Sequence, residues 1–99
     1  MLDAGVDACT FLEGKVLDDL EKDRALALAV IKSIEIVGEA ASRVTEATRE
    51  QIPAIPWADV VAMRHRLVHG YYDINLRTVW DTVNDDLPPL IEAIRSMIV

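Results

Sequence analysis

The chain has 99 residues, of which 52% are hydrophobic and 5% aromatic, and its formal net charge is −7. This length predicts a single domain over residues 1–99, and so small a domain buries only a modest share of its surface, which favours a homodimer. The acidic balance argues against a general nucleic-acid coat protein, because such a protein needs a basic face. The hydrophobic residues are mostly aliphatic, so we expect packed helices rather than a β-sandwich.

Neither a targeting segment nor a membrane span is expected from the pattern of residues. The single cysteine, Cys9, cannot form an internal disulfide and fits a reducing compartment. Residues 1–7 are acidic and mixed, unlike a signal peptide, and the longest apolar run, 25–31, is too short to cross a bilayer. We therefore expect a soluble cytoplasmic protein with no membrane partner.

The first half of the chain predicts three helices. The first covers residues 2–13 and ends at Gly14, because glycine readily adopts the left-handed conformation that closes a helix. A short helix follows near residues 16–20. The third runs from about residue 24 to 44, where apolar side chains recur at intervals of three and four and form one core-facing stripe. Its members are Ala27, Val30, Ile31, Ile34, Val37, Ala41 and Val44.

The third helix leads into a surface connection and then into a helix that carries the most reactive residues. The connection covers residues 45–55 and includes one helical turn at Glu46–Gln51. Pro56 takes the first position of the next helix, where proline is tolerated because no backbone N–H is needed. This helix runs to His69 and ends at Gly70.

A final helix completes the predicted bundle. After a turn, Asp73 or Asn75 caps a helix that begins near Leu76. Pro88 and Pro89 must kink or restart this helix, because proline lacks the N–H that continues the hydrogen-bond ladder. The restarted part then extends almost to the end of the chain.

The segment 64–72 concentrates the reactive side chains. It reads Arg-His-Arg-Leu-Val-His-Gly-Tyr-Tyr and holds both histidines and both tyrosines of the protein. Residues 64–77 hold three arginines against Asp73 alone, whereas residues 1–23 hold seven acidic residues against two lysines. This small cationic region in an acidic chain predicts a local phosphate site rather than a long binding groove.

These side chains suit the cleavage of an RNA phosphodiester without a metal ion, since RNA carries its own nucleophile in the 2′-hydroxyl. His69 titrates near neutral pH and can act as a general acid or base. Arg64 can bind phosphate at two points and keeps its charge. His65 can bond a phosphate or backbone oxygen or orient Arg64, and Arg66 can support substrate binding. Tyr71 can contact the substrate or accept a modification.

Helical geometry limits how these residues can meet. On an ideal helix, His65 and His69 lie about 40° apart, whereas Arg64 lies about 140° from His69. A working site therefore needs the helix end at Gly70, a second subunit, or both, to bring Arg64 and His69 together.

Structural explanations of the same residues stay open at this point. Arg64 and Arg66 also fit solvated surface charge, and His69 fits a residue that interacts with the helix dipole. Two histidines four positions apart can bind zinc, but only Asp59 or Asp73 could complete the ligand set, so we expect no metal site. The remaining large aromatic residues are expected to be core or interface anchors: Trp57, Tyr72 and Trp80.

The chain resembles a known family along most of its length. Arg64, His69 and Tyr71 match the Arg-x4-His-x-Tyr motif of HEPN domains, and the wider pattern resembles the HepT toxins of HEPN/MNT toxin–antitoxin systems. His65 departs from the family, which most often has asparagine there. The resemblance spans about residues 10–95 and rests on segments in the family's order: 34–41, 53–57, 63–71, 79–83 and 86–88.

This resemblance implies an all-α, HEPN-like bundle of four to five helices that forms a homodimer with a composite site in the groove at its two-fold axis. Arg64 and His69 would be the catalytic residues of a metal-independent ribonuclease toxin, with tRNA as one candidate substrate and no cofactor. A partner antitoxin, a minimal nucleotidyltransferase, would add AMP to Tyr71. The added bulk and negative charge would block the cationic site.

A different class of function also fits the sequence. The chain could be a non-catalytic HEPN module that docks a minimal nucleotidyltransferase or binds a nucleotide. The acidic composition motivates this alternative, because strong RNA affinity normally requires more basic residues. A purely structural dimerisation bundle is a third, minor interpretation.

Overall fold

A computed structural model of the protein describes residues 1–67 and 74–98, with the backbone alone described at Arg64, Met97 and Ile98. Within these ranges the architecture is a helical bundle, and the predicted all-α class is confirmed. The described residues form seven α-helices rather than the four to five predicted, because two short helices and an interruption of the last helix divide the chain further. The helices are α1 (Leu2–Leu12), α2 (Leu17–Lys22), α3 (Arg24–Ser42), α4 (Glu46–Gln51), α5 (Trp57–Leu67), α6 (Leu76–Asp81) and α7 (Leu87–Ile98), with a π-helical turn (Thr82–Asp86) between α6 and α7.

Helix α3 is the centre of the bundle and packs against α1 on one side and α5 on another. The predicted apolar stripe is confirmed, since six of its seven residues are buried, and Val44 lies past the end of the helix at Ser42. The helix begins where the Asp23 carboxylate accepts a hydrogen bond of 3.0 Å from the Leu26 N–H, which satisfies a backbone donor of the first turn. Burial of the stripe therefore stabilises the helix against which α5 packs.

The helix boundaries follow local side-chain chemistry at several predicted places. Gly14 adopts φ 73°, the left-handed conformation expected where α1 ends. Asn75 caps α6, because its side-chain oxygen accepts a hydrogen bond of 3.1 Å from the Thr78 N–H. Asp73, the other predicted cap, lies outside the described residues.

The start of α5 differs slightly from the prediction. Pro56 precedes the helix instead of occupying its first position, and its carbonyl accepts a hydrogen bond of 3.0 Å from the Val60 N–H. A proline suits this place equally well, since its missing N–H is not needed there. The described helix reaches Leu67, and the predicted extension to His69 with a cap at Gly70 lies outside the described residues.

The last helix restarts near its two prolines, as predicted. The Leu87 N–H donates to the Thr82 carbonyl, five residues back, which widens the backbone into a π-helical turn. The Asn84 side-chain amide donates to the Trp80 carbonyl at 2.9 Å and so supplies a partner for that carbonyl within the turn. Helix α7 then begins at Leu87 and places both prolines in its first turn, where their lack of an N–H costs little.

None of the helices in the described ranges is long and apolar enough to cross a membrane.

Candidate functional site

The predicted site residues belong to the C-terminal half of α5 and the segment that follows it. Arg64, described by its backbone alone, lies in α5, and His65 and Arg66 come directly after it in the last turn. His69 and Tyr71 lie outside the described residues. The pairing of Arg64 with His69 therefore stays a prediction.

His65 and Arg66 lie against different neighbours of α5. His65 is exposed and lines a shallow cavity of about 380 Å³ between α5 and the C-terminal part of α3. Arg66 instead lines a pocket between α5 and α7. Adjacent residues on a helix point about 100° apart, which explains why the two side chains separate. The structure thus does not bring His65 and Arg66 together at one place.

The cavity beside His65 contains charged side chains from the last turn of α3 and from the residue that follows the helix. Glu39 and Arg43 form an ion pair there, with 2.8 Å between Arg43 Nη2 and Glu39 Oε1. Both side chains are mostly exposed, so the pair adds little stability and either partner can exchange for a ligand. An imidazole, a guanidinium and a carboxylate on one surface can bind a phosphate or a sugar hydroxyl. The sequence analysis missed Arg43, because only the packing of α3 against α5 places it near His65.

Arg66 is engaged by groups of its own helix and of the π-helical turn. Its Nη2 donates to the Asp59 carbonyl at 3.3 Å and lies 3.9 Å from Asp86 Oδ2. The Arg66 and Asp86 side chains are both more than 40% exposed, and pairs of this kind contribute at most about 1 kcal/mol. These contacts involve Nη2 alone, and a guanidinium has five N–H donors, so the predicted supporting role of Arg66 stays a prediction.

The start of α5 is braced by Arg49 of α4. The Arg49 guanidinium donates from Nη2 to the Ala41 carbonyl in the last turn of α3, at 2.9 Å. The same guanidinium carbon lies 5.7 Å from the centroid of the Trp57 ring, within the range of a cation–π interaction. The brace therefore joins the end of α3 to the first residue of the helix that carries Arg64.

Trp57 completes this brace through its indole N–H. Nε1 lies 3.2 Å from each of the carbonyls of Arg49 and Ile52, so one donor serves two acceptors. Trp57 was predicted as an anchor, but its partner Arg49 was not. The one feature of the sequence that pointed to this contact was Trp57 itself, because a half-buried indole N–H requires a hydrogen-bond acceptor.

Cys9 lies on α1 with its half-buried thiol near the π-helical turn. Burial raises the pKa of the Cys9 thiol, because desolvation disfavours the thiolate. Sγ lies 3.8 Å from the Val83 carbonyl, a distance compatible with a weak S–H donor. The thiol thus packs between α1 and the π-helical turn as a small apolar group.

The described residues thus form a helical bundle, and the last turn of α5 carries His65 and Arg66. The chain belongs to the HepT-like ribonuclease family, because the family model described as "Ribonuclease HepT-like" matches residues 1–97. This match confirms the resemblance seen in the sequence.

Individual relatives agree with the family. A "Putative RNase" from Caldanaerobacter subterraneus subsp. tengcongensis is 32% identical, over 91% of this chain and 84% of the relative. A "Probable ribonuclease HepT" from Thermococcus cleftensis is 36% identical, over 74% of this chain and 66% of the relative. A "Putative RNase" from Methanocaldococcus jannaschii is 33% identical, over 93% of this chain and 76% of the relative. No solved structure matches the chain significantly.

Proposed function

We propose that this protein is a metal-independent RNA endonuclease in which Arg64 and His69 are the catalytic residues. The observation that carries the proposal is the Arg-x4-His-x-Tyr motif, which begins at Arg64 in the last described turn of α5, in a chain of the HepT-like ribonuclease family. The names of three relatives from different organisms point to the same activity.

In the proposed reaction the 2′-hydroxyl oxygen of RNA attacks the adjacent phosphorus, and the bond from phosphorus to the 5′-oxygen breaks. His69 takes the proton of the 2′-hydroxyl or gives one to the leaving 5′-oxygen, and water or His69 of the second protomer performs the other proton transfer. Arg64 neutralises the phosphate oxyanions as their charge increases. The products are a 2′,3′-cyclic phosphate and a 5′-hydroxyl, so atoms and charge balance without a metal ion.

A homodimer is part of the proposal, because an ideal helix places Arg64 and His69 about 140° apart. In a composite groove at the two-fold axis, Arg64 of one protomer can serve the same phosphate as His69 of the other. The small size of the chain supports such a dimer, since 99 residues bury limited surface by themselves.

The proposed biological role is that of a toxin neutralised by modification of Tyr71. A partner antitoxin, a minimal nucleotidyltransferase, would transfer AMP from ATP to the Tyr71 hydroxyl and release pyrophosphate. The new phosphodiester places negative charge and an adenosine beside Arg64 and His69, where it repels and blocks an RNA phosphate. Incubation with such a nucleotidyltransferase and ATP, followed by mass spectrometry of wild type and Tyr71→Phe, tests this step.

RNA cleavage is tested by incubating purified protein with total RNA and with tRNA in excess EDTA. We expect cleavage by wild type and a loss of about 10²- to 10⁴-fold in His69→Ala, the usual range for a general acid or base. Arg64→Ala should lose activity as well. Arg95→Ala is the matched control, since Arg95 of α7 is exposed and lines a cavity beside α1 whose lining includes no residue of α5. Cleavage that is equal in all four proteins would refute the proposal.

The second candidate function is a non-catalytic module that binds a nucleotide or docks a nucleotidyltransferase. The net charge of −7 and the engagement of Arg66 by Asp86 favour it, since both weaken attraction for RNA. Titration with ATP and with a nucleotidyltransferase separates the two functions. Tight binding without any cleavage of RNA would support the module, and cleavage that depends on His69 would exclude it.

A further inference from the structure

A pocket of about 230 Å³ opens between the start of α5 and the first two turns of α7. Four nearly buried aliphatic side chains form its floor: Ile55, Val60, Met63 and Leu90. Ala93 of α7 lines one wall with a single methyl group. This volume is smaller than the pockets of about 300–1,000 Å³ that hold drug-sized ligands, and it suits one aliphatic side chain better than a nucleotide.

The rim of this pocket is acidic. Asp59 of α5 and Asp85 and Asp86 of the π-helical turn surround the opening, against the single guanidinium of Arg66. Arg66 already interacts with Asp86 at 3.9 Å and with the Asp59 carbonyl at 3.3 Å, so its charge is partly matched. An approaching group therefore meets an apolar floor inside a rim of net negative charge.

These charges discriminate among the candidate occupants. RNA phosphates are repelled by the three carboxylates. A bare metal ion is not favoured either, since the described residues contain no group of three or more possible ligands placed to hold one. A segment that combines an aliphatic side chain with positive charge matches both the floor and the rim.

We propose that this α5–α7 pocket is a docking site for a partner protein segment in which a leucine-sized side chain is flanked by Lys or Arg. The aliphatic side chain enters the pocket and covers Val60, Met63 and Leu90, while the cationic neighbours lie beside Asp59 and Asp85. The pocket is lined by Arg66, which is also a predicted supporting residue of the RNA site, but the docking proposal does not depend on ribonuclease activity.

The test uses ¹⁵N-labelled full-length protein and two synthetic peptides, acetyl-Lys-Leu-Leu-Lys-amide and acetyl-Glu-Leu-Leu-Glu-amide. We expect the basic peptide to shift the backbone amide signals of Val60, Met63, Leu90 and Ala93, and to do so less at high salt, because salt screens exposed charges. The acidic peptide should leave these signals unchanged. Equal shifts with both peptides, or shifts confined to other surfaces, would overturn the proposal.

Substitutions test the contribution of the carboxylates at the opening separately from that of the apolar residues inside the pocket. Asp59→Asn with Asp85→Asn should weaken the apparent affinity by about 1.5- to 5-fold for each exposed charge pair that is lost. Glu46→Gln with Glu50→Gln on α4 is the matched control, since both side chains are exposed and neither lines the pocket. An equal effect of both double variants would overturn the rim assignment.

Ala93→Leu fills the pocket and should abolish the peptide shifts, whereas Ala47→Leu on the exposed face of α4 should not. Retained binding by Ala93→Leu, with the fold verified by its amide spectrum, would overturn the floor assignment. If Ala93→Leu fails to fold, the carboxylate variants decide alone. Shifts of the same amides by an RNA oligonucleotide, or by raising the protein concentration, would also refute the proposed occupant.

Discussion

Replacing Arg49 by Met tests whether the brace at the start of α5 stabilises the fold. Methionine keeps an unbranched apolar stem but removes the guanidinium, and with it the 2.9 Å hydrogen bond to the Ala41 carbonyl and the contact with the Trp57 ring. A hydrogen bond from a charged donor contributes about 1.5–3 kcal/mol, and a partly exposed cation–π contact about 0.5–1 kcal/mol.

A compensating effect reduces the expected loss. Arg49 Nε is buried and has no hydrogen-bond partner among the described residues, so wild type already bears a desolvation cost of about 1–3 kcal/mol that Met removes. The contributions lost amount to about 2–4 kcal/mol and the compensation to about 1–3 kcal/mol, so the net expected decrease in the free energy of unfolding is about 1 kcal/mol. For a domain of this size, that corresponds to a fall in Tm of roughly 4–8 °C.

Urea unfolding followed by far-ultraviolet circular dichroism measures this difference, at one fixed protein concentration because a dimer's stability depends on it. Arg43→Met is the matched control. Arg43 also lies near the end of α3, but it forms only an exposed ion pair with Glu39, so its loss should cost less than about 1 kcal/mol. If Arg49→Met is no more destabilising than Arg43→Met, the brace does not stabilise the start of α5.

Three further predictions concern single residues. Gly14→Ala should destabilise the protein by about 1 kcal/mol in thermal unfolding, since φ is 73° and no atom lies near enough to clash, so the cost is conformational alone; an unchanged Tm would contradict this. Asn75→Ala removes the cap of α6 and should cost about 1 kcal/mol, whereas Asn75→Asp should retain most of it. Because the pKa of Cys9 is raised, its alkylation by iodoacetamide should require a higher pH than that of a free cysteine, and an equal pH dependence would refute the burial argument.

Much of the fold could be predicted because its determinants are local. The apolar stripe of α3 shows from the sequence which residues are buried, because a helix that packs on one side repeats its apolar residues at intervals of three and four positions. The one-turn helix at Glu46–Gln51 and the restart near Pro88 follow in the same way from capping and from proline chemistry. Asn75 was one of two local candidates for its cap, and the hydrogen bond to Thr78 identifies it as the cap of α6.

The arrangement around the site could not be predicted, because it depends on contacts between distant elements. Arg66 is predicted as a supporting residue from its neighbours in sequence, and only the folded chain shows that Asp86, twenty residues later, lies 3.9 Å from it. Arg49 carries no local sign of a role, since its acceptor is a backbone carbonyl of another helix and backbone carbonyls occur at every residue. Helical spacing describes one helix at a time and cannot show which neighbour a polar side chain will meet.

The π-helical turn also determines how far the side chains of α7 are rotated around the helix axis relative to those of α6. It holds one residue more than an α-helical turn would need, and one residue corresponds to about 100° of rotation around a helix axis. With that offset, α6 packs against α2 and α5, whereas α7 packs against α1. A single-residue deletion within 82–86 would rotate Leu87, Leu90 and Ile91 away from the core together. Insertions and deletions in this turn should therefore be far less tolerated than substitutions of its exposed residues.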